Sequence, residues 1–311
     1  MLRVMRALIS PITSTWDSPA KVNLCLRIVG RRADGYHLLD SIFAAIDLID
    51  LVTITIANVS SRHDTTVVVH CSEPGVPTDA TNLVARAATA LLDTSGISAD
   101  LTIEIQKRIP PGSGLGGGSS NAATVLRALV QMLDLQVAPQ RLGELALSLG
   151  ADVPFFLTGG CARVRGIGEQ VDPIPGWPGR ELVVALPPIT VSTAWAFSRY
   201  SAGFSTDPPE PERLANAPEP TASLLRNDLE SVVLPAYPAL GDLKRSFIEA
   251  GAPAAVMSGS GASIIGLVPL GMTSEDFAQG LQGRHPMTRF HATRIRPASQ
   301  STMLDRPRSY A

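Results

Sequence analysis

Cysteine is scarce in this chain, and its scarcity excludes a disulfide framework. Only Cys25, Cys71 and Cys161 are present among 311 residues, an odd number at wide spacing with no C-x-x-C pair. Cysteines in this pattern neither form the disulfide bonds that stabilise a small fold nor supply the ligand set of a zinc site. We therefore expect buried thiols in a reducing compartment, the cytoplasm, and predict no cysteine-bound metal.

Net charge and long apolar runs are lacking as well. The formal net charge is −2, and no basic stripe with interleaved aromatic residues is present in a chain that is only 5% aromatic. Both observations argue against a nucleic-acid surface. The longest apolar region, residues 42–57, is interrupted by Asp47 and Asp50. The sequence therefore predicts no membrane-spanning helix.

The length and composition predict two domains. With 45% apolar and 17% charged residues, the 311 residues can build two ordinary cores. A proline cluster at residues 173–178 marks the expected boundary between them. The prediction is an N-terminal domain over 16–178 and a C-terminal domain over 179–296. An extension over 1–15 precedes them, and a loose tail over 297–311 follows.

Residues 110–126, PPGSGLGGGSSNAATVL, are the most informative stretch of the sequence. The five glycines leave backbone N–H groups free to converge on an anion, because no Cβ atoms hold that anion away. Ser119 and Ser120 offer N-cap hydroxyls, and apolar residues then recur at helical spacing as far as Leu133. The positive end of that helix dipole faces the same point. The stretch therefore predicts a phosphate-binding loop.

Three other interpretations of this loop can be weighed from the sequence. The glycine spacing satisfies the G-x-G-x-x-G dinucleotide fingerprint, but residues 101–106 alternate apolar and polar, unlike the continuous apolar first strand of a Rossmann fold. No acidic residue closes a second strand about twenty residues later. A Walker A loop is excluded because no Lys-Ser or Lys-Thr pair follows the glycines. A hinge without a ligand stays an alternative, although a hinge needs no helix directly behind it.

The remaining patterns predict an α+β protein whose N-terminal sheet is mostly antiparallel. The apolar alternation over 21–30 predicts a half-buried strand with Lys21 and Asn23 on one side, where they either share a site or face solvent. Further strands are expected at 41–48, 51–57, 65–71 and 101–109. Helices are expected after a cap at Thr81 or Asn82, from the glycine loop to about residue 133, and over residues 139–150.

The C-terminal part predicts a β-α-β-β-α-β order, the ferredoxin-like layout. Its strands are expected at 182–186, 254–258, 263–268 and 288–295, and its helices at 193–200, 223–233, 239–250 and 274–283, with a Pro-rich loop over 205–220.

Three further side chains are candidates for chemistry. Asp152 follows a predicted helix end at Gly150, where a carboxylate has an electrostatic cost that a cation such as Lys21 could offset. The carboxylate is therefore either a local cap or a functional group. Tyr36 and His37 follow an Asp-Gly turn, and such a pair is more often a surface pair than a ligand clamp.

Four stretches together resemble the family of small-molecule kinases that includes galactokinase, homoserine kinase and mevalonate kinase. They are SPAKVNL at 18–24, PPGSGLGGGSSNAA at 110–123, GADVPFF at 150–156 and SGSGAS at 258–263. RADGYH at 32–37, with the triple glycine before Ser-Ser-Asn, is similar to one member whose substrate carries a cytidine diphosphate group. The resemblance spans about residues 16–295.

The resemblance implies a two-domain kinase with its active site in the cleft between domains, using ATP and Mg²⁺. It implies that Lys21 and Asp152 are the catalytic pair. The implied phosphate loop with the start of its helix comprises Pro110, Pro111, Gly112, Ser113, Gly114, Leu115, Gly116, Gly117, Gly118, Ser119, Ser120 and Asn121. The implied substrate contacts are Asn23, Tyr36, His37, Thr193 and Phe197. The metal ligands stay open, with a hydroxyl of Ser119 or Ser120 as a candidate.

The expected activity is transfer of a phosphoryl group from ATP to an alcohol of a small molecule that carries a cytidine diphosphate group. The expected partners include neither nucleic acid nor membrane, and the protein is expected to be a monomer or weak homodimer. Two alternatives stay open. One is another kinase of the same family, acting on homoserine, a mevalonate or a sugar, and the other is a nucleotide-binding module that has lost catalysis.

Overall fold

A computed structural model describes residues 11–60, 64–216 and 223–297 as two sheets with helices packed on them. The first sheet contains β1 (Ile12–Arg31), β2 (His37–Ser60), β3 (Thr66–Cys71), β4 (Ser98–Gln106), β5 (Cys161–Gly166) and β6 (Gln170–Pro173). Its strands follow the order β3-β4-β2-β5-β6, and β1 also pairs with β2. All of these pairs are antiparallel except β3 with β4. The prediction of a mostly antiparallel N-terminal sheet is confirmed.

Strand β2 is one continuous strand of 24 residues, so the prediction of separate strands at 41–48 and 51–57 is wrong. Pro19 of β1 pairs with Ile49 and the next residue, Ala20, pairs with Ile46, which leaves two extra residues on β2. This β-bulge bends the strand and lets it continue. The first part of β2 pairs with β5 and the second part pairs with β4.

Strand β1 is buried on both faces, whereas the alternation predicted half burial. Val22 and Leu24 pack with residues of the second sheet, such as Val184 and Ile265, in a core between the two sheets. Lys21 and Asn23 are also buried, at 4% and 1% exposure, which excludes the interpretation as a solvated strand edge. The strand begins at Ile12, so residues 12–15, predicted to lie in an extension, are paired in the sheet. Residues 1–10 lie outside the described residues.

Helices cover the other face of the first sheet. They are α1 (Leu83–Ser95), α2 (Gly117–Met132), α3 (Pro139–Leu149) and α4 (Val153–Thr158). Asn82 caps α1 through its side chain, as one of the two predicted caps. Helix α2 begins at Gly117 after an N-cap at Gly116, so the prediction that Ser119 or Ser120 caps it is wrong. Gly116 adopts φ 69°, which a serine disfavours, and the serines therefore lie inside the first turn.

The second sheet contains β7 (Glu181–Leu186), β8 (Ala255–Met257), β9 (Ile264–Leu267) and β10 (Arg289–Arg294), in the order β10-β7-β9-β8. Its helices are α5 (Thr193–Arg199), α6 (Pro211–Asn216), α7 (Glu230–Ala236), α8 (Pro238–Glu249) and α9 (Ser274–Gln282). The predicted ferredoxin-like layout and the α+β fold class are confirmed.

Two local predictions in this part are wrong. Part of the predicted Pro-rich loop over 205–220 is helix α6, and residues 217–220 of that loop lie outside the described residues. The helix predicted at 223–233 begins only at Glu230, because the residues before it make turns and an isolated bridge to β1. The predicted loose tail lies outside the described residues from 298 onward.

Backbone hydrogen bonds join the two sheets. Leu26 donates to the Arg226 carbonyl at 2.7 Å and accepts from the Asp228 N–H at 2.9 Å, and the Arg296 N–H donates to the Ala45 carbonyl at 2.8 Å. The domain boundaries given above stay a prediction. Among the described residues, no helix is long and apolar enough to cross a membrane.

The cysteines are free thiols. Cys25 and Cys161 are buried, as expected, whereas Cys71 at the end of β3 is partly exposed. Burial raises the pKa of Cys25 to about 11 and also raises the pKa of Cys161, so both thiols stay protonated near neutral pH. These two cysteines behave as small core residues.

Candidate active site

A cleft runs between the two sheets and collects most of the predicted site residues. The first sheet and its helices contribute Lys21, Asn23, Phe43, Lys107 and Asp152, and the second half contributes Thr193, Phe197, Gly259 and Ser260. The glycine loop lines the cleft with Pro110, Pro111, Gly112, Ser113, Gly114, Gly116, Gly117, Gly118, Ser119 and Asn121. Leu115 and Ser120 of the predicted loop are fully buried and do not line it.

The glycine loop approaches its neighbours so closely that side chains are excluded. A Cβ atom on Gly116 would lie 3.0 Å from Phe156 and 3.1 Å from the Lys21 side chain. A Cβ atom on Gly117 would lie 3.1 Å from Lys107 Nζ. The loop therefore presents main-chain atoms to the cleft beside the Lys107 ammonium and the aliphatic part of the Lys21 side chain. The unpaired N–H groups of the first turn of α2 open at the same place, a combination that suits phosphate.

The Gly/Ser turn of residues 258–263 supports the loop from the second sheet. Ser258 Oγ donates to the Gly114 carbonyl at 3.2 Å, and the Ser263 N–H donates to the Ser113 carbonyl at 3.3 Å. A Cβ atom on Gly114 would lie 2.4 Å from the Ser258 carbonyl oxygen. These contacts hold the loop between the two halves of the molecule.

Lys21 and Asp152 meet at the end of the loop. Lys21 Nζ lies 3.4 Å from Asp152 Oδ2, donates to Asn23 Oδ1 at 2.7 Å, and sits 4.5 Å from the centre of the Phe43 ring. The ammonium is therefore oriented from several sides. The Lys21 side chain is 5% exposed and the Asp152 side chain 32%, so the carboxylate is the more accessible partner.

The surroundings of Asp152 differ from the expected turn. Asp152 follows the C-cap of α3, as predicted, but it also occupies the N-cap position of the short helix α4, which the sequence analysis missed. Its side chain makes no capping hydrogen bond there. The Asp152 carboxylate therefore contacts Lys21, makes no capping hydrogen bond to α4 and lines the cleft.

An aromatic group lies around Phe197, which lines the cleft. The His37 ring stacks on Phe197 with ring centroids 5.4 Å apart, and the edge of Tyr200 meets His37 at 6.1 Å. Tyr36 is 63% exposed and precedes His37 in the sequence, and neither of these two residues lines the cleft. Burial, with a smaller effect of the Arg31 charge, lowers the pKa of His37 below its ordinary value of 6.5. His37 is therefore neutral near pH 7.

Two predicted substrate contacts have other partners already. Asn23 accepts from Lys21 and donates through Nδ2 to Ser41 Oγ at 3.0 Å, so its side chain orients the ammonium. Thr193 Oγ1 and Ser260 Oγ lie 2.8 Å apart at the rim of the cleft. Trp195, near them in sequence, packs edge-on against Tyr237.

Sequence reasoning missed Lys107 and Tyr200. Lys107 ends the segment before the loop and lines the cleft, and only its place next to the glycine stretch could have suggested this. Tyr200 follows α5, and no sequence pattern connects it to His37. Among the described residues no group of three or more His, Cys, Asp or Glu side chains could hold a metal ion. Ser119 lines the cleft, whereas Ser120 Oγ is buried and accepts from Ser18 Oγ at 2.8 Å, which removes Ser120 as a candidate metal ligand.

Comparisons with known proteins agree with this architecture. The family model of the GHMP kinases N terminal domain matches residues 82–160, and that of the GHMP kinases C terminal matches residues 211–285. A 4-diphosphocytidyl-2-C-methyl-D-erythritol kinase of Geobacter metallireducens is 42% identical over 266 residues, which are 86% of this chain and 92% of that protein. One of Gloeobacter violaceus is 41% identical over 258 residues, covering 80% of this chain and 83% of that protein.

Solved structures show the same likeness. The chain superposes on a crystal structure of 4-(cytidine 5'-diphospho)-2C-methyl-D-erythritol kinase with a TM-score of 0.75 and 34% identity, over 90% of this chain and 98% of that one. A homoserine kinase from Cytophaga hutchinsonii gives a TM-score of 0.71 at 21% identity, over 93% of this chain and 96% of that one. The second likeness concerns the fold alone.

Proposed function

The chain belongs to the 4-diphosphocytidyl-2-C-methyl-D-erythritol kinase family of GHMP kinases, and we propose that it transfers the γ-phosphoryl group of ATP to the 2-hydroxyl of that cytidine substrate. This reaction is a step of the non-mevalonate route to isoprenoid precursors. The free thiols are consistent with a reducing compartment such as the cytoplasm. The observation that carries the proposal is the Lys21–Asp152 pair at the end of a main-chain phosphate loop in one cleft.

In the proposed reaction the substrate 2-hydroxyl oxygen attacks the γ-phosphorus of ATP. A new O–P bond forms, the bond to the β,γ-bridging oxygen breaks, and ADP leaves. Asp152 orients the hydroxyl and accepts its proton, and the Lys21 ammonium stabilises charge that develops on the transferring group. Lys21 is suited to this role because Asn23 and the Phe43 ring hold its ammonium in place.

The loop residues over 110–121 would bind the phosphates of ATP. The first residues of α2, Gly117 and Gly118, line the cleft without a side-chain cap on the helix, and Lys107 Nζ lies beside Gly117. Mg²⁺ would neutralise charge on the phosphates when bound. The Ser119 hydroxyl is an oxygen donor that suits this hard cation, with phosphate oxygens and water as the remaining ligands.

The aromatic group would bind the cytosine. Tyr36 and Phe197 offer ring faces for stacking, and the neutral His37 offers one donor and one acceptor nitrogen to the edge of the base. Thr193 lies at the rim, where the erythritol part of the substrate would enter. Asn23 is buried and acts by orienting the Lys21 ammonium. This arrangement favours a cytidine substrate over homoserine, mevalonate or a sugar, none of which carries an aromatic base to stack.

A substrate panel tests the proposal. The purified protein is incubated with ATP, Mg²⁺ and, in separate reactions, the cytidine substrate, homoserine, mevalonate and galactose, with ADP release coupled to NADH oxidation. We expect acceptor-dependent ADP release with the cytidine substrate alone and a product heavier by one phosphoryl group. Preferred turnover of another acceptor would assign the chain to a different specificity. ATP binding without turnover of any acceptor would support the inactive module.

A further inference from the structure

Asp50 is a buried carboxylate that touches neither the cleft nor either catalytic candidate, yet it contacts both ends of the glycine loop. Its side chain is fully buried in the middle of β2. Oδ1 accepts from the backbone N–H groups of Arg108 at 2.7 Å and Ile109 at 2.9 Å, the two residues that lead into the loop. Oδ2 accepts from Asn121 Nδ2 at 3.0 Å, on the helix that follows the loop.

Lys107 and Asn121 complete a closed set of contacts around this carboxylate. Lys107 Nζ donates to Asp50 Oδ2 and also to Asn121 Oδ1 at 3.2 Å. The second hydrogen of Asn121 Nδ2 goes to Ser18 Oγ at 2.8 Å, and Ser18 in turn donates to Ser120 Oγ at 2.8 Å. Both polar atoms of the Asn121 side chain are thus engaged in hydrogen bonds that anchor the loop.

From this geometry we propose that Asp50 is a positioning residue for phosphate binding, which fixes the separation and orientation of the two ends of the loop over 110–120. A buried carboxylate needs donors on both oxygens, and here the donors come from the two ends of one loop. The loop amides are therefore preset for phosphate before ATP arrives. An anion cradle that is already ordered binds more tightly, because less conformational freedom is lost on binding.

The place of Asp50 in the sheet also explains how one carboxylate can anchor both ends of the loop. Ser18 and Asp50 are direct partners across the β1–β2 pair, so both anchors stand on the same rigid part of the sheet. An asparagine at position 50 would have only one side-chain oxygen to accept hydrogen bonds. Its NH₂ group would replace the second carboxylate oxygen and would face the donors that this oxygen now accepts from. One end of the loop would then lose its partner, and the Lys107 ammonium would lose its counter-charge.

The test is Asp50→Asn, with Asp47→Asn as the matched control. Asp47 lies on the same strand and pairs with Arg294 and Arg296, away from the loop, so its replacement removes the same charge without touching the anchors. We expect Asp50→Asn to raise the KM for ATP at least about tenfold, as for loss of a hydrogen bond to a charged group, with the KM for the cytidine substrate within about twofold. Asp47→Asn should change neither.

A merely structural role of Asp50 predicts a different result, namely a lower melting temperature with unchanged or equally changed KM values, and that result would overturn the proposal. If Asp50→Asn does not fold, Ser18→Ala decides. Ser18 does not line the cleft, so it can act on ATP only through Asn121 and Ser120. We expect a smaller rise in the KM for ATP, and an unchanged value would refute the positioning role.

The inference rests on the proposed function, and the two can fail separately. Calorimetric titration of the unmodified protein and the variants with ATP measures the cradle without any acceptor. Normal ATP binding in the unmodified protein without transfer to any acceptor would remove the kinase assignment, while weaker binding by Asp50→Asn would still support the positioning role. Equal ATP affinity of the unmodified protein and Asp50→Asn would overturn the positioning role, whatever the acceptor.

Discussion

Lys21 Nζ and Asp152 Oδ2 lie 3.4 Å apart, although one residue comes from the first strand and the other from the junction of two helices late in the same half. Neither residue would adopt its position alone. Lys21 is nearly enclosed by Asn23, Phe43 and the glycine loop, and its only carboxylate contact among the described residues is Asp152. The catalytic hypothesis depends on this ion pair.

Asp152→Asn tests the carboxylate directly. The change keeps the shape and removes the group that accepts the proton, so we expect kcat to fall by roughly two to four decades with the affinity for ATP kept. Steady-state kinetics with the cytidine substrate and ATP titration measure the two quantities. An unchanged kcat would reject the role of Asp152 in proton transfer.

Tyr36→Ala tests the stacking surface at the mouth of the site. Because base–aromatic stacking contributes about 1–3 kcal/mol per base, we expect the KM for the cytidine substrate to rise about tenfold or more, with the KM for ATP nearly unchanged. Tyr36→Phe keeps the ring and serves as the control, with a KM close to that of the unmodified protein. Equal increases in both KM values would contradict a specific role in cytosine binding.

The lowered pKa of His37 predicts how substrate binding depends on pH. Burial lowers its pKa below 6.5, so the ring is neutral near pH 7 and gains its proton only as the pH falls through that lowered value. Protonation replaces the acceptor nitrogen by a second donor. We therefore expect the KM for the cytidine substrate to rise on the acidic side, below about pH 6.5, and to stay flat from about pH 7 to 8.

The control for this pH profile is His37→Gln, whose side chain does not titrate. Its KM should be higher than that of the unmodified protein at pH 7 and should lack the acidic rise. If the variant keeps the same acidic rise, another group is responsible for it.

Gly114→Ala tests how tightly the loop is held between the two sheets. Gly114 has φ +78°, and the new Cβ would lie 2.4 Å from the Ser258 carbonyl oxygen and 2.9 Å from that of Gly261. The backbone conformation alone costs about 1–2 kcal/mol for a non-glycine residue, and the clash adds to it. We expect a lower melting temperature and weaker ATP binding, measured by calorimetry.

Gly143→Ala provides the contrasting substitution. Gly143 lies inside α3 and a Cβ atom there would meet nothing within 4 Å. Alanine should stabilise the protein by about 0.5–1 kcal/mol, through helix propensity, without changing ATP binding. A destabilised Gly143→Ala protein would show that the space around these glycines does not decide the outcome.

The sequence allowed the fold class and the glycine-rich part of the cleft lining to be predicted because both depend on local patterns. Glycines, helical spacing and the β-α-β-β-α-β order are visible without tertiary information. The length of β2 was not predictable, since Asp50 looks like a strand end until its buried partners are known. The start of α2 was missed because a glycine with positive φ replaced the expected side-chain cap.

Long-range partners explain the other differences. Asp50, Ser18 and Lys107 act through contacts between distant segments, which no local spacing reveals. Half burial of β1 was predicted from its alternation, but the face with Lys21 that seemed exposed is covered by Phe43 and Asp152. Tyr200 reaches His37 only because α5 lies beside the turn before β2.

The backbone hydrogen bonds of Leu26 to the Arg226 and Asp228 segment limit how this enzyme can exchange its ligands. A swing of one sheet away from the other would break these bonds and expose the apolar layer that β1 shares with both halves. Such an opening is far costlier than a rotamer change at the rim. We therefore expect nucleotide and acceptor to enter and leave the cleft without separation of the two sheets.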